Sequence, residues 1–499
     1  MILPQLPSAE SFYALRDSRS SIGHPLANLP PLRIAIMVPS NAVSSGLGIE
    51  IALFWTASII RRMGRPFSEV ILVASDEFRQ STSRLSRVPG ISVEQLVSEE
   101  LRSADPFGAF EWRTWAKNVD LADATAVVQL GTLPLGVIHP QTIAINAHGW
   151  VSVLQVQPNN DLSLSPPDFD AAPSAIVFAA CMAAGKLFSE AFGALDGPGR
   201  IAFALDGGGV CTDPTVYGPW LENGTSLVAP PPWKAESGAR LALHKLLVVS
   251  AGGVGGNFCK ILGDSHFRVH SAYVLDPDNF EISNLNRSIG VGLQFTMPGS
   301  SKASFASNAL LPVAENVTSV QSSYESWVTP ELAEQFRLLG TAVVVGVDQV
   351  CTRLKVGSDW PWMLLNGATS GSTFSTSIHL RRVAGCVGCW YGQSETEFAA
   401  TRQPMACAAG VAGGGMVARP IASYPFVSVA ASAQMVGTLA RAVFQNEERA
   451  QFAGNLTRMS LRTPESAQVQ RIDINKRCLL LCGEDYLQQI LERSNAEGE

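Results

Sequence analysis

Charge is scarce in this 499-residue chain: Asp, Glu, Lys and Arg make up 16% of it, against 46% apolar residues. So apolar a chain can bury a large core, which excludes an intrinsically disordered protein. A basic surface is also missing. Against 43 Asp and Glu stand 36 Lys and Arg, a net charge of -7, the wrong sign for wrapping nucleic acid over the whole molecule. No uninterrupted apolar run approaches the roughly 20 residues that span a bilayer, and the N-terminal stretch lacks the charged start and apolar middle of a signal peptide. The chain therefore reads as cytoplasmic, with neither membrane nor nucleic acid among its partners. Cysteine is sparse and odd in number, nine in all, which does not make a disulfide framework. Two close pairs, Cys386 with Cys389 and Cys478 with Cys482, point instead to a metal or to chemistry.

What is present is a repeat. A Pro/Gly-rich stretch at 205–238, with three consecutive prolines, separates two apolar halves. The expected division is an N-terminal arm (1–30), a first domain (31–204), a linker (205–238) and a second domain (239–499), in keeping with domains of ~150 residues or somewhat more. Each half opens strand, helix, strand: LRIAIMV, GIEIALFWTASIIRRMG and EVILVAS in the first, KLLVVS, GGNFCKILGD and SAYVLD in the second. Buried strands alternating with helices predict parallel βαβ units and an α/β fold. The halves then match further along. Thr125-Ala-Val-Val pairs with Thr341-Ala-Val-Val, and Pro173, Gly185 and Phe192 recur as Pro425, Gly437 and Phe444 at one constant offset. Matches in the same order across several elements indicate internal duplication.

The second half carries the candidate chemistry. Its loop 250–256, containing Gly252, Gly253 and Gly255, follows a strand and opens a helix. Such a loop lets backbone N–H groups and the helix N-terminus face a phosphate. Asp276 ends the next strand about 20 residues on, where a carboxylate holds ribose hydroxyls. Asp278, Asn284, Arg287 and Lys302 follow. A hydride-transfer enzyme has no need of Asn, Arg and Lys beside its nucleotide. Splitting ATP at the α-phosphate does need them, because negative charge builds on that phosphate and on the departing pyrophosphate. Asp348, after the strand TAVVVGVD, offers hard oxygen ligands to Mg²⁺. The two cysteine pairs offer four thiolates, which suit tetrahedral Zn²⁺.

As an ordered series from about Lys245 to Cys482, these residues resemble the ubiquitin-activating-enzyme/ThiF/MoeB superfamily, whose members adenylate the C-terminal glycine of ubiquitin-like proteins. The resemblance implies that Gly252, Gly255 and Asp276 bind ATP, that Asn284, Arg287 and Lys302 contact its phosphates, and that Asp348 holds magnesium. Two positions depart from the family pattern: Ser250 stands for the first glycine of the loop, and Ser288 for the Gln after Asn-Arg. Cys407, in a Gly-rich crossover segment at about 393–422, lies in a context like that of family members that capture the acyl group as a thioester. Cys386, Cys389, Cys478 and Cys482 match the places of MoeB-like zinc pairs. Cys181, Cys211, Cys259 and Cys351 read as structural. The first half keeps the fold without the chemistry: Ala74 stands where Asp276 does and Thr132 where Asp348 does. It therefore resembles the inactive adenylation half of eukaryotic activating enzymes, which sometimes lends an arginine to the partner's ATP; Arg16 and Arg19 are the candidates. The expectation is an intramolecular pseudo-dimer of two ThiF-type Rossmann-like domains, inactive then active. It would activate a ubiquitin-like protein and pass it from Cys407 to a conjugating enzyme, with homodimerisation left open. Little chain follows Cys482, which resembles the compact forms of bacterial ubiquitin-like operons. The rivals are a sulfur-carrier adenylyltransferase, a peptide-modifying adenylating enzyme, a non-catalytic scaffold for a ubiquitin-like partner, and an NAD-dependent oxidoreductase.

Overall fold

The computed structural model describes residues 6–22, 26, 29–39, 46–116, 119–131, 139–156, 169–192, 200–205, 209–211, 241–297, 299–380, 385–391, 422–444, 454–474, 478 and 480. Most of the expected linker, the Cys407 segment, Thr132 and Cys482 lie outside these residues.

The described strands form two eight-stranded sheets. The first contains β1 (Arg33–Met37), β2 (Glu69–Ala74), β3 (Phe110–Thr114), β4 (Ala126–Leu130), β5 (Thr142–His148), β6 (Val151–Val156), β7 (Arg200–Ala204) and β8 (Gly209–Cys211). The second contains β9 (Leu241–Val249), β10 (Phe267–Leu275), β11 (Ala314–Val320), β12 (Thr341–Val345), β13 (Met363–Ser370), β14 (Thr373–Leu380), β15 (Leu456–Ser460) and β16 (Thr463–Gln470). Their orders, β3-β2-β1-β4-β5-β6-β7-β8 and β11-β10-β9-β12-β13-β14-β15-β16, are the same topology twice. In each, five parallel strands continue into three antiparallel ones. The parallel centre has a sequence cause: Ile34 to Met37 in β1 and Leu246 to Val249 in β9 are buried without alternation, as strands covered on both faces must be. The expected α/β class holds, with two Rossmann-like halves.

Two Ala-rich helices, Pro173–Ala191 and Pro425–Phe444, form the seam between the halves. Both are long and apolar enough to cross a membrane, but 83% and 89% of their apolar windows are buried within the protein. The sequence hides their length because Ser, Gly and Gln interrupt the apolar run; those residues too are buried here. The seam is reciprocal. A Cβ on Gly185 would lie 2.5 Å from the carbonyl oxygen of Leu461, just past β15, and a Cβ on Gly437 would lie 2.6 Å from the Cβ of Leu205, just past β7. Phe188 packs against Tyr424 and Phe426, with ring centroids 4.6 and 5.5 Å apart, and Phe178 meets Phe374 edge-on. One apolar core accordingly runs through both sheets.

Candidate active site

In an open α/β sheet, ligands bind beyond the carboxyl ends of the strands where the strand order reverses. Here that point is the end of β9, which has β10 on one side and β12 on the other. The chain leaves β9 through Ser250, whose φ of +76° is in the left-handed region. A glycine adopts this conformation freely, whereas serine pays of order 1–2 kcal/mol. Gly252 caps the helix Gly253–Gly263 with no side-chain cap and donates its own N–H to Ser250 Oγ at 3.4 Å; among the described residues no side chain occupies the N–H groups of the first turn beyond it. Gly255 allows the helix to sit on the strand end: a Cβ there would lie 1.8 Å from the carbonyl oxygen of Ser250.

Asp276 follows β10 and is buried. Its carboxylate accepts from the N–H of Ala251 at 2.7 Å, the Ser250 hydroxyl at 3.3 Å and the N–H of Asp278 at 2.9 Å. Burial pushes its pKa above the usual carboxylate range, against the pull of Lys302 and the two N–H donors. This carboxylate therefore fastens the phosphate-type loop to the end of the neighbouring strand. Lys302, the first residue of the helix Lys302–Leu310, places Nζ 2.9 Å from the exposed carboxylate of Asp278. Asn284 joins Glu281 in a reciprocal cap on the short turn Ile282–Asn284. The stem of Arg287 crosses the helix start, 3.1 Å from where a Gly253 Cβ would lie, and its Nη1 donates to Ser283 O at 3.0 Å and Asn286 Oδ1 at 2.9 Å. Asp348 is exposed, three residues past β12; its hard oxygen donors suit Mg²⁺. The residues read from the sequence thus lie around the ends of three adjacent strands.

Several were not singled out there. Asn257, inside the Gly253–Gly263 helix, and Asn286 are both buried and both bond to Arg287. From the first half, Arg62 donates to Val291 O at 2.9 Å and Glu100 accepts from the Gly290 N–H at 3.3 Å, the two side chains being paired at 2.6 Å. The N-terminal helix Ala9–Arg16 also packs here, with Phe12 and Tyr13 clustered against Phe280, Leu285 and Val291. A polar residue within an apolar helix is the one sequence signal that Asn257 and Arg62 carried.

The arm corrects one expectation. Arg16 has no exposed surface and is paired with Asp17 at 2.7 Å and Asp105 at 2.8 Å. Burial alone would lower its pKa; the two carboxylates outweigh that and raise it. A guanidinium so held is not available to a nucleotide, which leaves Arg19, partly exposed, with its carbonyl accepting from Ser423 N–H at 3.4 Å. In the first half, Val38 N–H donates to Val73 O at 2.9 Å just as Ser250 N–H donates to Leu275 O at 2.8 Å. The next residue along the chain is Ala74 in one case and Asp276 in the other, so that position in the first half carries no carboxylate.

The thiols of Cys386, Cys389 and Cys478 are buried and lie within 4.8 Å of one another, with Sγ···Sγ distances of 3.9 Å for 386–389 and 3.3 Å for 386–478. A zinc tetrahedron with Zn–S of about 2.3 Å has sulfur–sulfur edges of about 3.8 Å, so this donor set fits the metal. Cys181 and Cys259 are buried, and burial pushes both thiols up, as inert core residues require. Cys351 is partly exposed in the first turn of the helix Val350–Ser358, with Sγ 3.7 Å from Gln349 Oε1.

Residues 226–480, just over half of the chain, match the ThiF family. No curated protein matches the chain.

Proposed function

Because the chain belongs to the ThiF family, we propose that this adenylyltransferase-type protein activates a ubiquitin-like protein at its C-terminal glycine. The observation that carries the reading is the grouping of Asp276, Arg287 and Lys302 around one glycine loop at the end of β9. A carboxylate oxygen of the partner's last residue attacks the α-phosphorus of ATP, the bond from that phosphorus to the bridging oxygen breaks, and pyrophosphate leaves with the electron pair. The N–H of Gly253 and those after it in the helix's first turn face the phosphates, Asp276 holds the ribose, and Asn284, Arg287 and Lys302 meet the charge that develops on the phosphate oxygens. Lys302 starts in a pair with an exposed carboxylate, so its exchange to a phosphate costs little. Asp348 would hold Mg²⁺, which supplies further charge neutralisation when bound, and Arg19 is the arm's candidate contact. The thiolate of Cys407 then attacks the acyl carbon, AMP leaves, and a thioester forms for transfer to a conjugating enzyme. Cys386, Cys389 and Cys478, with Cys482, would hold a structural zinc.

ATP–pyrophosphate exchange with a glycine-ending ubiquitin-like partner tests this, run on wild type, Asp348→Ala and Cys407→Ala beside a non-reducing gel. Exchange lost in Asp348→Ala but kept in Cys407→Ala, with a DTT-sensitive adduct in wild type only, is the expected result. Exchange without any adduct moves the reading to sulfur-carrier activation. No exchange with any partner overturns it in favour of a scaffold.

A further inference from the structure

We infer that Asn257 and Asn286 are positioning residues which clamp Arg287, one by its backbone and the other by its guanidinium, so that it is oriented before a phosphate arrives. The inference rests on the phosphate-contacting role proposed for Arg287. Asn257 is 1% exposed and its amide is fully engaged. Nδ2 donates to Gly253 O at 2.5 Å and to Arg287 O at 2.8 Å, while Oδ1 accepts from Ile289 N–H at 3.0 Å. This single side chain ties the first turn of the loop's helix to the peptide of Arg287. Asn286 is completely buried. Its Oδ1 accepts from Arg287 Nη1 at 2.9 Å, and its Nδ2 donates to Ser20 Oγ at 3.1 Å and Ser423 O at 3.4 Å.

The chemistry at both positions calls for an amide. Gly253 O, Arg287 O and Ser423 O are carbonyls and can only accept, which fixes the orientation of each amide group. An aspartate at 257 would set a buried carboxylate against two carbonyl oxygens, and an apolar residue would leave them unpaired. A fully satisfied buried network is rigid, and rigidity is what a charge-stabilising arginine needs if no reorganisation is to accompany the reaction. Asn286 further links that arginine to the N-terminal arm through Ser20 and to the entrance of the Pro425–Phe444 helix through Ser423.

A residue that merely stabilises the fold would cost the same whether or not Arg287 is present; a positioning residue costs nothing once the group it positions is gone. The experiment is therefore a double-substitution cycle. ATP–pyrophosphate exchange is measured on wild type, Asn286→Ala, Arg287→Ala and the double variant, with thermal midpoints taken in parallel. Asn286→Ala is expected to lower kcat/KM for ATP about tenfold in the wild-type background and less than twofold in the Arg287→Ala background. Equal losses in the two backgrounds would overturn the clamp. If wild type shows no exchange, the functional reading fails, and the same cycle read by affinity for a fluorescent ATP analogue decides the clamp. If wild type does not bind the analogue either, both fall.

Discussion

The reciprocal glycines at the seam allow a substitution whose sign separates two effects. Gly→Ala inside a helix should stabilise by up to ~1 kcal/mol, because alanine loses less backbone entropy. At Gly185 the new Cβ would lie 2.5 Å from Leu461 O and 2.9 Å from Leu461 Cβ, and at Gly437 it would lie 2.6 Å from Leu205 Cβ and 2.9 Å from Leu205 O. These neighbours are backbone or Cβ atoms, which cannot rotate away as a long side chain can. Relief means moving a strand end away from a buried helix, an overpacking cost of roughly 1–3 kcal/mol. The clash wins on balance by about 1 kcal/mol at each site, which corresponds to a fall of ~2–4 °C in thermal midpoint on the scale of a 150–250-residue domain. Gly185→Ala and Gly437→Ala, each followed by scanning fluorimetry, should both fall, because each sits at the pseudo-equivalent place in its half. A rise in either midpoint would mean that propensity alone operates and that the halves do not approach as closely as described.

Two further outcomes follow from buried groups. The purified protein should carry about one zinc by elemental analysis, lost in Cys386→Ser and Cys478→Ser but kept in Cys181→Ser; zinc unchanged in the first two would remove the metal from the cysteine cluster. Glu100→Gln leaves the buried Arg62 guanidinium uncompensated and should cost about 3–5 kcal/mol, whereas Asp123→Asn, facing Arg113 at the surface, should cost less than about 1 kcal/mol; equal shifts in urea midpoint would refute the distinction.

The repeat, the parallel centres and the order of the site residues were legible because each leaves a local trace. Uninterrupted apolar runs marked β1 and β9, the glycine spacing marked the turn after β9, and the 252-residue offset from Gly185 to Gly437 marked the paired seam helices. The partners of those residues were not legible. Arg16 and Arg19 look alike in the sequence, yet a tertiary neighbour, Asp105, claims the first. Asn286 was visible within the Asn-Leu-Asn-Arg motif, but its bonds to Ser20 and Ser423 span more than a hundred residues each, and no local pattern encodes such pairings. Cys351 sat in a stretch with no distinctive neighbours, and only the register of the helix after Asp348 brings it toward solvent.

The contrast between the halves shows which part of such a fold is free to change. Asp276 carries a buried carboxylate held by three donors, whereas its counterpart Ala74 is apolar and equally buried, so the first half needs neither the charge nor those bonds at that position. The seam has no such freedom, since Gly185 and Gly437 each receive backbone from the other half. The half without the carboxylate nevertheless reaches the other's site through Ser20 to Asn286, Glu100 to the Gly290 N–H and Arg62 to Val291 O. All three contacts fall within residues 286–291, the segment that begins beside Arg287 and leads away from it. An N-terminal half that had become filler would need only to cover apolar surface there. Polar contacts, two of them from charged side chains, are a costlier way to do that, and their concentration on this one segment is what holding Arg287 in place would require.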